Sequence, residues 1–267
     1  MVGRGLRAAA LACGLALPAA AGDAPARVVS MNLCTDQLAL MLAAPGQLVS
    51  VSALSQDPRA SVMAAEAQAL PPNHGLAEEI FLLRPDLVLA GRFSSPATLD
   101  MLRRLGLRVE TFDPESTLDD IRANLRRMGE VLGRDATRTI AQFDADLAAL
   151  PPPATPRPRA ASYGANSYAE GPDSLAGQII AAAGFTNIAA ERGLSFGGTL
   201  PLEVLMLASP DLILRGAPYP GASRAEAVLD HPGLRHLAPQ HRTDRDWVCG
   251  TPRILHAITD LQKAAAP

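Results

Sequence analysis

The chain has 267 residues, with 24 Lys and Arg against 27 Asp and Glu and a formal net charge of −3. That balance leaves no broad basic field, so neither nucleic acid nor an anionic membrane surface is expected as a partner.

Arg4 and Arg7 precede an apolar run from Ala8 to Ala21 that closes in three alanines. This is the pattern of a secretory signal peptide, residues 1–21, cut after Ala21. The run is shorter than the roughly 20 apolar residues that a membrane-spanning helix needs. Cys13, preceded by Ala10-Leu11-Ala12, makes a poor lipidation box. Removing the leader leaves about 245 residues, enough for one large or two ordinary domains.

From Arg27 onward short apolar runs alternate with helical stretches, as in a layered α/β protein. Val28 to Met31 reads as a strand, Asp36 to Leu42 as a helix, and Leu48 to Ser52 as a strand. Glu78 to Leu83 reads as a helix, Asp86 to Ala90 as a strand, Pro96 to Leu105 as a helix, and Val109 to Phe112 as a strand. Then Leu118, Ile121, Leu125, Met128, Leu132, Ile140, Phe143 and Leu147 recur at helical spacing. Gly133-Arg134-Asp135 is a place where that pattern can break, but the stretch reads mainly as one long helix. Pro151-Pro152-Pro153 stops it. Alternation then resumes with Ala160 to Tyr163, Ser174 to Ala183, Pro201 to Ala208, Leu212 to Leu214, a strand at Trp247 to Cys249, and a last helix from Pro252 to Ala264.

One segment is written twice. Glu78 to Gly91 aligns without gaps on Glu203 to Gly216, with seven of fourteen positions identical. In each copy Glu opens a helix where a carboxylate complements the dipole. Pro then ends the helix, and Asp-Leu-Val/Ile-Leu starts a buried strand. The expected fold is therefore α/β, with two similar α/β lobes joined by a long linker helix and a ligand cleft between them. The lobes are assigned to 22–115 and 151–267, and the linker to 116–150.

Two cysteines follow the leader, Cys34 and Cys249. An exported chain favours their pairing if the fold brings them together. A thiolate ligand for a metal centre and two free thiols are the other options.

Three features together carry a resemblance: the opening Arg27-Val28-Val29-Ser30-Met31-Asn32-Leu33, the doubled Glu-x-x-x-Leu-x-x-Pro-Asp-Leu-x-Leu unit, and the closing Trp247-Val248-Cys249-Gly250-Thr251-Pro252-Arg253. With Gly171-Pro172-Asp173-Ser174-Leu175 and Ala183-Gly184-Phe185-Thr186-Asn187, the chain resembles the cobalamin and ferric-siderophore periplasmic binding proteins. That resemblance implies a periplasmic, monomeric protein with little hinge motion. It implies delivery of a corrinoid or iron chelate to an inner-membrane ABC permease. One Glu on each lobe docks onto the permease in that family, and the matching positions are Glu78 and Glu203. The plain alternative for both is a favourable first-turn carboxylate. The resemblance also puts Cys34 and Cys249 on cleft-side loops, one per lobe.

Loops that follow strands carry the ligand contacts in such folds. After the first strand, Thr35 and Asp36 read as helix caps, leaving Asn32 and Cys34 for a ligand. His74 can donate to a ligand or coordinate it, although a lone His is more often structural. Arg92 suits a carboxylate, phosphate or anionic chelate, and Arg215-Gly216-Ala217-Pro218-Tyr219 follows the second copy of the strand. Tyr168, Trp247 and Cys249 complete the candidate ligand-binding set. With aromatics only 4% of the chain, the one Trp is either a flat surface for a large ring or a core residue.

No G-x-S-x-G, G-x-x-x-x-G-K, G-x-G-x-x-G or H-E-x-x-H motif occurs, so no catalytic residue, no enzyme activity and no cofactor are expected; the alternative of a periplasmic chelate-modifying enzyme has only His74 and Glu78, four apart, to rest on. The five histidines do not converge in sequence with carboxylates, which argues against a bare metal ion. Haem remains an alternative cargo, with Tyr168 or His74 as its axial ligand.

Overall fold

The computed structural model describes residues 24–153, 155–217, 221 and 223–264. The leader with Cys13, and Pro218 and Tyr219, lie outside the described residues.

Short runs of Val, Leu and Ile buried on both faces demand a parallel sheet sandwiched between helices, and two such sheets form. The first lobe contains β1 (Val28–Ser30), α1 (Leu33–Leu42), β2 (Leu48–Ser52), α2 (Ala64–Ala67), β3 (Pro72–Asn73), α3 (Ala77–Leu82), β4 (Leu87–Gly91), α4 (Pro96–Arg104) and β5 (Val109–Phe112). All five strands are parallel, in the order β3-β2-β1-β4-β5. Strand alternation sends Val28, Leu87 and Leu89 into the main core with Leu38 and Leu42 of α1. It sends Val29 and Val88 to the other face, against Ile80 of α3 and Leu102 of α4. The direction of chain progression reverses between β1 and β4, the position at which open α/β sheets bind ligands.

The linker is two helices, α5 (Leu118–Leu132) and α6 (Thr137–Ala148). A capping box starts α5, with Thr117 Oγ accepting from Asp120 N–H and the Asp120 carboxylate accepting from Thr117 N–H. Gly133 ends it at φ 66°, a left-handed conformation that glycine adopts without strain. Arg122 of α5 then donates to Asp144 of α6 at 2.6 Å and stacks 5.3 Å from the Phe143 ring. The single long helix expected over 116–150 is thus broken at Gly133, and its halves pack against each other.

The second lobe contains β6 (Arg159–Ser162), β7 (Tyr168–Glu170), α7 (Leu175–Ala182), β8 (Thr186–Asn187), α8 (Ile188–Glu191), β9 (Gly197–Thr199), α9 (Leu202–Ala208), β10 (Leu212–Gly216), α10 (Pro232–Arg235), β11 (Gln240–Thr243) and α11 (Ile254–Ala264). Its parallel sheet runs β11-β10-β6-β8, and β7 and β9 form a separate antiparallel ribbon. The strand expected at Trp247–Cys249 is not one: Arg245–Trp247 is a single 3₁₀ turn, and the strand lies upstream at Gln240–Thr243. As a polar edge strand, Gln-His-Arg-Thr carries no apolar signal to betray it.

The duplicated segment folds twice in the same way, down to its hydrogen bonds. Ile80 and Leu205, at matching positions, are fully buried under their sheets. Arg84 and Ser209 both turn the chain with positive φ, 48° and 49°. Asp86 accepts from Arg27 N–H at 3.0 Å, and Asp211 accepts from Arg159 N–H at 2.7 Å. Each arginine then reaches back to the carbonyls that end the preceding helix. Arg27 donates to Leu83 and Arg84, and Arg159 to Ala208 and Ser209. These are the orphan carbonyls of a helix end, satisfied by a guanidinium.

One apolar cluster crosses the molecule. It runs from Val28, Leu38 and Leu89 through Ile121, Leu125 and Met128 of α5 and Phe143 of α6 to Ile179, Ile180, Ile254 and Ile258 of the second lobe. The lobes share a core as well as a linker.

Candidate functional site

Parallel strands deliver all their carboxyl ends to one edge of a sheet, and here the two edges meet. From the first lobe come the loops after β1, β2 and β5. From the second comes the segment Arg245–Gly250, which follows β11. Cys34 and Cys249 form a disulfide with a Cα–Cα separation of 5.3 Å. Arg245 donates to the Pro58 carbonyl at 2.8 Å, and Gly250 N–H donates to the Glu115 carboxylate at 3.3 Å. The thiolate-ligand and free-thiol options for the cysteines end with that bond.

At this junction a crevice of about 90 Å³ opens on the first lobe, at the β1/β4 reversal point. Asn32, Cys34, Arg92, Phe93, Asp113 and Glu115 line it. Three of the predicted residues are therefore brought together, Asn32, Cys34 and Arg92, and the disulfide adds Cys249. Asn32 has a second task, because its side-chain oxygen accepts from Cys34 N–H and Thr35 N–H and caps α1. The capping role expected of Thr35 and Asp36 belongs to Asn32, and those two are buried inside the first turn. Gly91 is required beside it, since a Cβ there would lie 2.8 Å from Asn32 Nδ2. Arg92 is exposed but not a lone cation: it donates to Asp113 at 2.8 Å, which raises its pKa further.

The other predicted residues lie elsewhere. His74 is exposed and turned to the start of α3, where Glu79 accepts from its backbone N–H at 2.7 Å and contacts Nδ1 at 3.1 Å. Trp247 packs on the shared core and borders a depression along α11 with Asp246, His256 and Asp260. Tyr168 opens β7 just beyond the carboxyl end of β6, 43% exposed. Asn166 and Ser167 before it have φ of 55° and 59°, a conformation costly for non-glycine residues and common at functional sites. Its hydroxyl stands over Gly197, where a Cβ would come within 2.5 Å.

Sequence reasoning missed Glu115, Asp113 and Phe93. Glu115 is buried, and burial raises its carboxyl above the usual range against hydrogen bonds from Asn124 and Gly250. The rule that selected Arg92, a polar residue just past a strand's carboxyl end, applies equally to Asp113-Pro114-Glu115 after β5. Phe93 is 85% exposed, a large apolar ring left in solvent at the crevice mouth.

Outside the cleft, α3 and α9 each present an exposed Glu, Glu78 and Glu203. Beside each is an exposed apolar pair at matching positions: Phe81 and Leu82 are 44% and 78% exposed, Met206 and Leu207 41% and 82%. Among the described residues no His, Cys, Asp and Glu cluster could hold a metal ion, and no helix is long and apolar enough to cross a membrane.

Residues 28–240 match the model of a family described as periplasmic binding protein. A cobalamin-binding protein of Halobacterium salinarum is 28% identical over 211 residues, covering 76% of this chain and 56% of that protein. A vitamin B12-binding protein of Yersinia pestis is 34% identical over 118 residues, 43% of this chain and 40% of that protein. The chain spans about half the length of the curated relatives it matches. A solved periplasmic heme binding protein from Pseudomonas aeruginosa shares the fold, with a TM-score of 0.71 at 21% identity over 90% of this chain and 92% of that one.

Proposed function

Because the chain belongs to the periplasmic binding protein family, we propose that it is exported by its N-terminal leader and captures a small metal chelate between its lobes. It acts as a carrier rather than an enzyme and passes the cargo to an inner-membrane ABC permease. The observation that carries this reading is the meeting of two sheets' carboxyl edges, with Asn32, Arg92 and Phe93 converging on the crevice at the β1/β4 reversal point. A corrinoid or a ferric-siderophore-type chelate suits a mouth that offers an aromatic face beside a guanidinium. The matching exposed faces of α3 and α9, one on each lobe, support a second role for the duplicated unit. Glu78 and Glu203, each beside an apolar pair, form two matched patches with which a two-fold permease can engage.

Haem is a second reading, supported by Tyr168, a phenol exposed on the β6–β7 turn and chemically able to bind iron. His74 is the weaker axial candidate because Glu79 already engages it.

Thermal unfolding of the mature protein against cobalamin, cobinamide, ferric siderophores and haemin tests the reading. A ligand that binds only the folded state, at a hundred times its Kd, adds about 2.7 kcal/mol of stability. A rise in Tm with one chelate class supports the carrier function and identifies the cargo; no rise with any of them overturns it.

A further inference from the structure

The sequence pattern predicts a strand at Trp247–Cys249, with Trp247 and Cys249 among the candidate ligand contacts. The segment is instead a 3₁₀ turn followed by an irregular stretch, and four of its contacts go to the opposite lobe. Within the six residues Arg245–Gly250, Arg245 donates to the Pro58 carbonyl at 2.8 Å and Cys249 is bonded to Cys34. Gln37 Nε2 lies 3.5 Å from the Cys249 sulfur, and Gly250 N–H donates to Glu115 at 3.3 Å. These partners sit on three separate first-lobe segments: the start of α1, the stretch after β2, and the loop after β5. Gly250 is seated so tightly that a Cβ would come within 2.4 Å of Glu115 Cβ and Cγ. A segment that follows β11 and leads into α11 is thus held by the first sheet's carboxyl-end loops.

We propose that Arg245–Gly250 is a clasp that sets the position of the second lobe over the crevice, so that the cleft is preformed for its cargo. The proposal deepens the carrier reading and rests on it. Two of the clasped residues, Cys34 and Glu115, are themselves part of the crevice wall with Asn32 and Arg92. Any slack in the clasp is therefore felt where cargo would sit. A stabilising staple has no need to bind the walls of the cleft, whereas a positioning device does. The energetic logic is preorganisation: a site held in its bound geometry spends no binding energy on ordering. The shared core and the two linker helices keep the lobes associated without the clasp, so its contribution is to geometry as well as to stability.

The test compares the wild-type mature chain with the Cys34→Ser/Cys249→Ser double variant, using cyanocobalamin and haemin as probes. Hydrogen exchange is followed well below the melting temperature. The variant is expected to exchange faster around residues 52–58, 112–116 and 244–251 while the strand cores stay protected. Its affinity for the probe that wild type binds should fall by about tenfold, a preorganisation effect of ordinary size. A lower Tm with exchange in those segments and probe affinity both unchanged overturns the proposal and leaves the disulfide a staple. Should the double variant fail to fold, Gly250→Ala keeps the disulfide and forces the clasp away from Glu115; its unchanged affinity and exchange would overturn the proposal equally. If wild type binds neither probe nor any other chelate of the panel, the carrier reading fails, and the exchange comparison still decides whether the segment holds the lobes.

Discussion

Asp36 sits in the first turn of α1, fully buried, with one carboxylate oxygen accepting from Ser52 N–H and the Ser52 hydroxyl. Burial outweighs the opposing hydroxyls of Ser30, Ser52 and Ser55 and raises its pKa from 3.8 to about 6. A carboxyl whose folded pKa is raised favours folding when protonated. Its contribution is therefore complete below pH 3.8 and is lost as pH rises through about 6. At about 1.4 kcal/mol per pH unit, that rise corresponds to about 3 kcal/mol. Asp36→Asn keeps the volume, leaves an oxygen for the Ser52 donors, and removes the charge. Urea unfolding across pH about 4 to 8 should show the variant equal to wild type at the acid end. It should become more stable than wild type by up to about 3 kcal/mol above neutrality. Glu115 and Asp246, also raised by burial, add slopes of the same sign, and these cancel in the difference. Parallel curves, or a variant weaker at neutral pH, would refute the reasoning, because the charge would then be well accommodated where it is.

Reduction of Cys34–Cys249 opens a cross-link between residues 215 apart, and the chain-entropy relation puts its contribution at about 5 kcal/mol, seen as a lower urea midpoint under phosphine. Arg27→Ala and Arg159→Ala each remove guanidinium hydrogen bonds to largely exposed helix-end carbonyls and should each cost about 0.5–1.5 kcal/mol in chemical unfolding, Arg159→Ala the more because it also frees Glu191; no loss for Arg27→Ala would deny the carbonyl contacts a role in ending the helix. Glu78→Ala/Glu203→Ala should leave cargo affinity unchanged and abolish uptake in cells, whereas a parallel loss of affinity would remove the docking role. Gly133→Ala places a side chain at φ 66° with its Cβ 2.5 Å from that of Ala24, and a lower Tm of a few degrees is expected.

Four of the five strands of the first lobe, most helices and the doubled unit were legible in the sequence because their information is local; the two-residue β3, Pro72–Asn73, was not. Val28-Val29-Ser30 and Leu87 to Gly91 are buried on both faces, so the apolar run itself is the signal. Glu78 and Glu203 open equivalent helices because the same fourteen-residue pattern imposes the same turn of chain. The polar strand β11 left no such trace, nor did the glycine-rich β9: an edge strand is stabilised by backbone pairing that its side chains do not record. The break at Gly133 was visible as a residue but not as a decision, since the apolar periodicity continues through Ile140 and Phe143 on either reading.

The candidate site divides along the same physical line. Asn32 and Arg92 follow from their positions at strand ends, and the sequence by itself determined the α/β class, the duplication, the order of elements and the two cysteines available to pair. That Cys34 and Cys249 do pair, that Asn32 rather than Thr35 caps α1, that Asp113 faces Arg92 and Glu115 faces Gly250, and that Trp247 packs on the core were decided by the tertiary structure alone. The disulfide and the Glu115–Gly250 contact depend on how one lobe meets the other, across 215 residues of chain for the cysteines, whereas the Asn32 cap and the Arg92–Asp113 pair are settled within the first lobe. Periodicity and propensity act over a few residues, whereas an inter-lobe contact is chosen by the packing of all the elements that lie between.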